Sequence, residues 1–284
     1  MSDKHYDVIV IGSGAGGGTM TYALAPSGKR ILLLERGDFL PKERQNWDTY
    51  SVFCQQRYVT DETWYNGEQP FRPTIHYWVG GNTKMYGAAM FRLRERDFQE
   101  IKYPDGISPA WPLSYQDFAP YYTRAERLYH VHGQRGIDPT EPPMEHDYLY
   151  GPLPHEPRIQ KLADDLEKLG YHPFPLPLGV RLGDDKPYPQ PSVHLSAFDG
   201  YPDPSESKAD AQVIAVNPAL EFDNVTLMVN SLVTKLETDA SGRSVTQVHV
   251  EREGEQLTFS ADIVVVAAGA ANSAALFLRC LLYT

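Results

Sequence analysis

The fold is decided by two stretches of sequence, YDVIVIGSGAGG (6–17) and ILLLERG (31–37). Residues 8–11 are a short β-branched run that ends at a glycine, which is typical of a buried parallel strand. A G-x-G-x-x-G motif follows and leads into a helical segment that stops at Pro26 and Gly28. Because a second apolar strand comes next, the order of elements predicts a phosphate-binding βαβ unit rather than a merely structural glycine turn.

Each glycine of the motif has a physical role in this interpretation. Gly12 permits the tight turn out of the strand, Gly14 lets the backbone approach a pyrophosphate, and Gly17 lets the helix pack close to the sheet. The N-terminus of the helix offers unpaired amides and partial positive charge to the phosphates, so no lysine is required.

Glu35 ends the second strand, close to the roughly 20-residue offset at which a carboxylate accepts hydrogen bonds from ribose hydroxyls. Its negative charge disfavours a ribose 2′-phosphate and therefore NADP. FAD and NAD both stay open on these residues.

The last sixty residues predict an antiparallel meander that feeds a buried strand. Apolar and polar residues alternate through residues 225–259, starting with a strand at Val225. Residues 263–269 are a continuous apolar run that ends in small residues, which leave room for a ligand. Asn272 and Ser273 are then expected to cap a helix. A nicotinamide-binding domain more often continues with repeated βαβ units, so this layout favours a flavoprotein.

The middle of the chain predicts two helices and a long loop. SYQD (114–117) resembles a capping box and opens the first helix. Residues 172–210, rich in Pro, Gly and Tyr, predict a loop. The second helix has an apolar face made by Ile159, Leu162, Ala163, Leu166 and Leu169, and it ends at Gly170.

The stretch VGGNTKMYGAA (79–89) places polar side chains between two glycine sites in apolar surroundings. One interpretation is a glycine-rich turn leading into a strand. The other is a loop whose backbone lies against a flat cofactor ring.

Composition limits the class of protein. The 284 residues are 42% hydrophobic and 22% charged, which is typical of a globular protein. A net charge of −11 opposes binding to nucleic acid. No stretch approaches the roughly 20 apolar residues of a membrane span. With a strand near the start and two distant cysteines, Cys54 and Cys280, we expect a cytoplasmic protein without a cleaved signal peptide, a disulfide framework or a metal cluster.

Taken together, these motifs resemble the glucose–methanol–choline (GMC) oxidoreductases. The resemblance rests on the N-terminal motif with ERG (35–37), on GGNT (80–83) and on AAGAANS (267–273). FRLR (91–94) and WPLSY (111–115) are similar to the bacterial gluconate- and fructose-dehydrogenase-like branch.

The resemblance implies an FAD-binding, Rossmann-like α/β fold of the glutathione-reductase type, with an inserted meander and a helical, loop-rich middle. It implies non-covalent FAD, because Met85 takes the place of a flavin-tethering histidine. It also implies hydride transfer from an alcohol or sugar-type donor. The cofactor-binding residues that it and the motifs suggest are Gly12, Ser13, Gly14, Ala15, Gly17, Glu35, Arg36, Gly80, Gly81, Asn82, Thr83, Tyr86, Gly87, Val233, Ala268 and Gly269.

The resemblance divides the chain into a first FAD-binding segment (1–45), a flavin-covering region (46–210) and a second FAD-binding segment (211–284). In relatives a late histidine is the catalytic base, so we expect it beyond Thr284, in a continuation that is absent or separately encoded. None of the nine histidines forms a recognisable catalytic pair, and His76 and His194 have the loop settings nearest to the expected flavin. A non-catalytic FAD-binding remnant and a nicotinamide-binding module are the alternatives.

Overall fold

The structure is a computed structural model that describes residues 5–182 and 197–280. The strands are β1 (His5–Ile11), β2 (Ile31–Leu34), β3 (Trp64–Asn66), β4 (Gln69–Phe71), β5 (Ile101–Tyr103), β6 (Gly106–Ser108), β7 (Val131–His132), β8 (Leu178–Gly179), β9 (Val225–Met228), β10 (Ser231–Thr238), β11 (Val245–Arg252) and β12 (Glu255–Val266). The helices are α1 (Ala15–Leu24), α2 (Tyr115–Leu128), α3 (Pro157–Lys168), α4 (Asn217–Ala219) and α5 (Ala270–Arg279).

The chain divides into two compact units. The first unit holds the described residues of Met1–Gly87, Pro189–Glu206 and Asp210–Thr284, and the second unit holds those of Ala88–Tyr188 and Ser207–Ala209. Residues 46–87, part of the predicted flavin-covering region, therefore pack with the first unit. The assignment of functions to the three predicted segments stays a prediction.

A six-stranded mixed sheet organises the first unit, in the order β10-β11-β12-β1-β2-β9. Strand β1 runs parallel to both β12 and β2, and β2 runs parallel to β9. Strands β10, β11 and β12 pair antiparallel as a meander. The long β12 therefore belongs to both parts, since its first half pairs with β11 and its second half with β1.

Strands β1 and β2 are buried on both faces. Ile9 and Leu32 belong to one apolar cluster, which also holds the inner side chains of the meander. Val10 and Leu33 belong to a second cluster on the opposite face. Burial on both faces explains why these strands are continuous apolar runs instead of alternating ones.

The predicted α/β fold with its meander is confirmed, and two local predictions are wrong. The strand at Val225 does not open the meander, because β9 pairs in parallel with β2. Asn272 and Ser273 do not cap α5, since the helix begins at Ala270 and its N-cap is Gly269. The φ of Gly269 is +80°, which favours glycine at that position.

The second unit contains both helices predicted in the middle of the chain. α2 begins with the expected capping box, in which the Asp117 carboxylate accepts hydrogen bonds from the backbone and hydroxyl of Ser114. On α3, Ala163 is buried but Leu162 is 54% exposed, and Leu169, just after the helix, is 74% exposed. Within the described residues, the predicted apolar face is therefore largely uncovered. Residue His194 lies outside the described residues.

A buried ionic network lies within the second unit. The Arg92 guanidinium donates to both carboxylate oxygens of Glu126 at 2.7 Å, and Arg135 donates to the same carboxylate. Burial opposes the charge on Arg92, but the hydrogen bonds to Glu126 and Tyr115 and the charge of Glu126 together outweigh it and raise the pKa of Arg92 above its ordinary value.

Across the described residues, no helix is both long and apolar enough to cross a membrane. The same residues contain no group of three or more His, Cys, Asp or Glu side chains arranged to hold a metal ion.

Candidate functional site

The turn between β1 and α1 is held by protein packing at two of its three motif glycines. At Gly12, where φ is +96°, a Cβ would lie 2.5 Å from the carbonyl oxygen of Ala267. At Gly17 a Cβ would lie 2.9 Å from the carbonyl carbon of Gly12 and closer still to its oxygen. Real Cβ atoms do not come so close, so both positions require glycine for the fold itself.

Gly14 is different, because nothing in the described protein requires glycine there. Its φ is −67°, and a Cβ would meet its nearest neighbour, the carbonyl oxygen of Gly80, only at 3.9 Å. Gly14 is also the N-cap of α1, and within the described residues no side chain caps this helix and no acid occupies its first turn. The amides of the first turn, including that of Ala15, are therefore available to an anion.

Glu35 points its carboxylate toward this turn. The side chain is buried, and its Oε2 accepts hydrogen bonds from the backbone N–H and hydroxyl of Ser13 at 3.0 and 2.6 Å. Its Oε1 accepts the N–H of Gly37 at 3.0 Å. An ionised carboxylate offers about four acceptor positions, so Glu35 holds the turn and keeps capacity for a ligand hydroxyl.

Ser13 links the turn to the glycine-rich loop of residues 80–83. Its hydroxyl accepts a hydrogen bond from the backbone N–H of Gly80 at 3.1 Å while donating to Glu35. Gly81 also approaches the turn, since a Cβ on it would lie 3.2 Å from the Cα of Gly14. Three segments that the sequence separates by tens of residues thus meet at one place.

The polar side chains of Asn82 and Thr83 hydrogen bond to backbone groups and hold the conformation of the loop. Asn82 Oδ1 accepts the backbone N–H of His76 at 3.0 Å. The Thr83 hydroxyl donates to the carbonyl of Gly80 at 2.6 Å and accepts the N–H of Ala211 at 2.9 Å. Because these side chains are engaged within the protein, the loop offers mainly its backbone to a ligand. A surface that lies against a flat cofactor ring requires this arrangement.

Beyond the loop, residues 85–87 contact a later segment of the first unit. The carbonyl of Met85 accepts the N–H of Gly200, and a Cβ on Gly87 would lie 2.6 Å from Asp199 Oδ1. The side chain of Met85 is buried in an apolar cluster. Tyr86, between them, is partly buried.

The end of β12 closes the turn from the other side. The N–H of Ala267 donates to the carbonyl of Ile11 at 2.8 Å, so the chain continues into Ala268 and Gly269 directly beside Gly12. Small residues at this point keep the carboxyl ends of β1 and β12 accessible.

Val233 and Arg36 lie near Glu35 in different ways. Val233 is buried in β10, two residues after Ser231, whose N–H donates to the backbone carbonyl of Glu35 at 2.8 Å. Arg36 is held by Glu62 at 2.7 Å, and its guanidinium carbon lies 3.6 Å from the centre of the Tyr77 ring. Arg36 is therefore fixed by an ion pair and a cation–π contact.

Two titratable groups around the loop are perturbed. Burial lowers the pKa of His76, which is opposed by its hydrogen bond to the Tyr58 carbonyl. Because a carbonyl only accepts, Nδ1 carries the proton in the neutral ring. Burial disfavours the Glu62 carboxylate, but hydrogen bonds from Tyr77, Arg36 and Trp64, together with the charge of Arg36, outweigh it and lower the pKa of Glu62.

Sequence reasoning missed Glu62, Tyr77 and the buried pair Lys84 and Asp210, whose Nζ and Oδ2 atoms lie 2.8 Å apart. The one signal for this pair was Lys84 itself, a lysine inside an apolar, glycine-rich stretch. Nothing in the local sequence identifies Asp210 as its partner, since 126 positions separate them.

Comparisons with known proteins show which family the chain belongs to. 6'''-hydroxyparomomycin C oxidase of Streptomyces lividus is 30% identical over 293 residues, covering 98% of this chain and 50% of that protein. Oxygen-dependent choline dehydrogenase of Staphylococcus aureus is 25% identical over 291 residues, covering 95% of this chain and 46% of that protein. The chain thus spans about half the length of the curated relatives it matches.

Among solved structures, pyridoxine 4-oxidase from Mesorbium loti has a similar fold. The TM-score is 0.63 at 17% identity, covering 96% of this chain and 51% of that one. The family described as FAD dependent oxidoreductase matches residues 7–281. Because that match takes in nearly the whole chain, the chain belongs to the FAD dependent oxidoreductase (DAO) family, and its cofactor is FAD.

Proposed function

We propose that the first unit binds FAD non-covalently at the turn after β1, as part of an oxidoreductase that acts on the CH–OH group of an alcohol or sugar-type donor. The observation that carries this proposal is the position of Ser13, whose hydroxyl hydrogen bonds both Glu35 and Gly80. The predicted pyrophosphate, ribose and ring-binding segments therefore meet in one unit.

The residues present fit a dinucleotide. Gly14 is a glycine that no protein contact requires, whereas an approaching phosphate would require one. The uncapped first turn of α1 supplies amides for the negative charge, beginning with that of Ala15, while Ser13, before the N-cap, is held in place by Glu35. The accessible end of β12 leaves space beside the turn, at Ala268 and Gly269.

The remaining predicted residues lie around the turn after β1, where they would contact the other parts of FAD. Glu35 would bind the ribose, while the edge strand β10 would offer its backbone near Val233 to the adenine, beside Arg36. The backbone of residues 80–83, with Tyr86 and Gly87, would support the isoalloxazine ring. Met85 lacks the imidazole nitrogen through which a histidine would tether the ring, which supports non-covalent binding.

Bound at this site, FAD would supply the acceptor for the hydride that leaves the carbon bearing the donor hydroxyl. The chain's own residues bind the cofactor, shield one of its faces and hold it in a fixed orientation. The identity of the group that takes the hydroxyl proton stays a prediction of the family resemblance, and so does a separately encoded continuation.

We also propose that the protein is of the glucose–methanol–choline type, in the bacterial gluconate- and fructose-dehydrogenase-like branch to which FRLR (91–94) and WPLSY (111–115) are similar. The motifs ERG, GGNT and AAGAANS support this assignment, and so does similarity to a protein named choline dehydrogenase. The relatives named as a hydroxyparomomycin oxidase and a choline dehydrogenase support a small-molecule alcohol as the donor.

The test is a visible absorption spectrum of the purified chain, followed by chromatography of the released cofactor and titration with FAD, FMN and NAD⁺. We expect yellow protein that releases FAD. FMN lacks the adenosine half, so we expect it to bind at least about 100-fold more weakly, the equivalent of two charge-assisted hydrogen bonds.

Folded, colourless protein that takes up no added FAD would refute the proposal. Equal affinity for FMN and FAD would refute the roles of Glu35 and Val233. Preferential binding of NAD⁺ would favour a nicotinamide-binding module instead.

A further inference from the structure

Lys84 is a buried lysine at the end of the short 3₁₀ helix Gly81–Lys84. Only 5% of its surface is exposed, and its Nζ donates to Asp210 Oδ2 at 2.8 Å and to Gln212 Oε1 at 3.0 Å. A buried ammonium is expensive to desolvate, so its hydrogen bonds are needed to keep it in place.

Asp210 is fully buried and is held on both sides. Its Oδ2 accepts from Lys84, and its Oδ1 accepts the backbone N–H of Val213 at 3.1 Å. Burial raises the pKa of the Asp210 carboxyl, and the charge of Lys84 opposes that rise. The pair has no net charge, so its main effect on its surroundings is geometric.

Lys84 hydrogen bonds to Asp210 and Gln212, and the segment that contains these two residues packs directly against α1. A Cβ on Gly18 of α1 would lie 3.5 Å from the side chain of Ala211 and 3.2 Å from that of Val216. Residues 212–216 form a π-helical turn that is largely buried at this contact. The segment is therefore a fixed support with a defined position relative to the pyrophosphate turn.

The loop is tied to this support at two points. Lys84 forms one tie, and the Thr83 hydroxyl, which accepts the N–H of Ala211, forms the other. Gly80 packs closely against both Lys84 and Gln212, because a Cβ on Gly80 would lie 3.0 Å from Lys84 Cδ and 3.1 Å from the Gln212 backbone nitrogen. The loop backbone thus has little freedom to shift without breaking the Lys84 hydrogen bonds.

We propose that Lys84 is a positioning residue, which through Asp210 and Gln212 holds the backbone of residues 80–83 at a fixed place beside the pyrophosphate turn and so prepares the isoalloxazine site before FAD binds. Lys84 does not touch the cofactor in this role. The inference rests on the proposed function of the loop, and it adds a residue that the motif-based predictions did not include.

The test compares two variants by thermal unfolding, by FAD affinity from flavin fluorescence quenching, and by the reduction potential of bound FAD. Lys84→Met leaves Asp210 buried without its cation, so we expect lower stability and weaker FAD binding. In Lys84→Met/Asp210→Asn both charges are gone, and the amide oxygen of the new asparagine would still accept the N–H of Val213. We therefore expect the stability of the double variant to return toward that of the wild type.

The double variant separates positioning from stability. If the pair positions the loop, FAD affinity stays at least about tenfold below that of the wild type although stability returns, because preorganisation of the ring site is lost. We also expect the reduction potential of bound FAD to differ from that of the wild type. A double variant with wild-type affinity and potential would overturn the proposal.

The matched control is Arg92→Met, which breaks a buried ion pair of the second unit. It should lower the unfolding temperature and leave FAD affinity unchanged. If affinity falls in proportion to stability in this variant as well, the effect of Lys84 is one of stability and the proposal fails. A wild-type chain that takes up no FAD would instead refute the proposed function, together with everything that rests on it.

Discussion

Gly14 and Gly17 belong to one motif, and the structure predicts opposite consequences for replacing them with alanine. A methyl group on Gly14 meets no atom inside 3.9 Å, whereas on Gly17 it lies 2.9 Å from the carbonyl carbon of Gly12. We therefore expect Gly14→Ala to fold normally and lose FAD affinity, and Gly17→Ala to lose stability. Gly16→Ala is the matched control, because a Cβ there meets only the Ala267 side chain at 3.8 Å.

The magnitudes follow from these distances. Overpacking at Gly17 should cost about 1–3 kcal/mol or more, a fall in unfolding temperature of roughly 2–12 °C. In Gly14→Ala, alanine is a poorer N-cap, which lowers the free energy of unfolding by up to about 1 kcal/mol. Alanine also stiffens the unfolded chain, which raises the free energy of unfolding by up to about 1 kcal/mol, so little net change remains. Losing one hydrogen bond to a charged phosphate, worth about 1.5–3 kcal/mol, weakens FAD binding about 10- to 150-fold. Gly16→Ala should gain about 0.5–1 kcal/mol from helix propensity.

Thermal unfolding without FAD, and fluorescence titration with it, measure both quantities on the same samples. Wild-type FAD affinity in Gly14→Ala would show that no phosphate approaches this glycine, and the placement of the pyrophosphate would be refuted. An unchanged unfolding temperature in Gly17→Ala would refute the packing argument for that position. A loss of FAD affinity in Gly16→Ala would mean that any substitution in the turn has this effect.

Three further predictions follow from single groups. The lowered pKa of Glu62 stabilises the folded state above the unfolded pKa of about 4.3, and this stability is lost as the pH falls through the lower pKa of the folded state. Acid unfolding followed by circular dichroism should therefore depend less steeply on pH for Glu62→Gln than for the wild type. Identical acid transitions would contradict this. The partly buried His76 should titrate by NMR with a pKa below its ordinary value of 6.5, and a midpoint at or above that value would contradict the effect of its burial. Ser114→Ala should lower the free energy of unfolding by about 1 kcal/mol through loss of the α2 cap, and chemical denaturation showing no change would argue against the capping box.

The sequence predicts the βαβ unit well because its signals are local. The apolar run of β1, the glycines and the strand before Glu35 all follow one another within a few tens of residues. The steric rules for glycine turns and buried strands act at that range, so their outcome can be read from the sequence.

Strand partners are harder to predict because alternation shows which face is buried and not which neighbour a strand pairs with. β9 has the same alternating pattern as the meander, yet it pairs in parallel with β2, nearly two hundred residues earlier. The start of α5 has a similar cause. Asn272 is a good capping residue, but its side chain lies near the Tyr77 hydroxyl at 3.4 Å while Gly269 makes the turn.

The residues of the candidate site likewise fall into two groups, those with a local sequence signal and those without one. Its glycines and Glu35 carry recognisable spacing, whereas Lys84, Asp210, Glu62 and Tyr77 act through contacts made only after folding. Buried charge pairs have no sequence signature, because either partner is an ordinary surface residue until the chain brings them together.

The pairing of β1 with β12 also determines how this protein is made. His5 pairs with Ser260, 255 residues later, so one edge of the central strand has no partner until those 255 further residues have been synthesised. At about 5–20 residues per second that interval is roughly 10–50 s. During translation the Val8–Ile11 edge is an unpaired apolar strand, so we expect the nascent chain to be prone to non-native strand pairing during this interval.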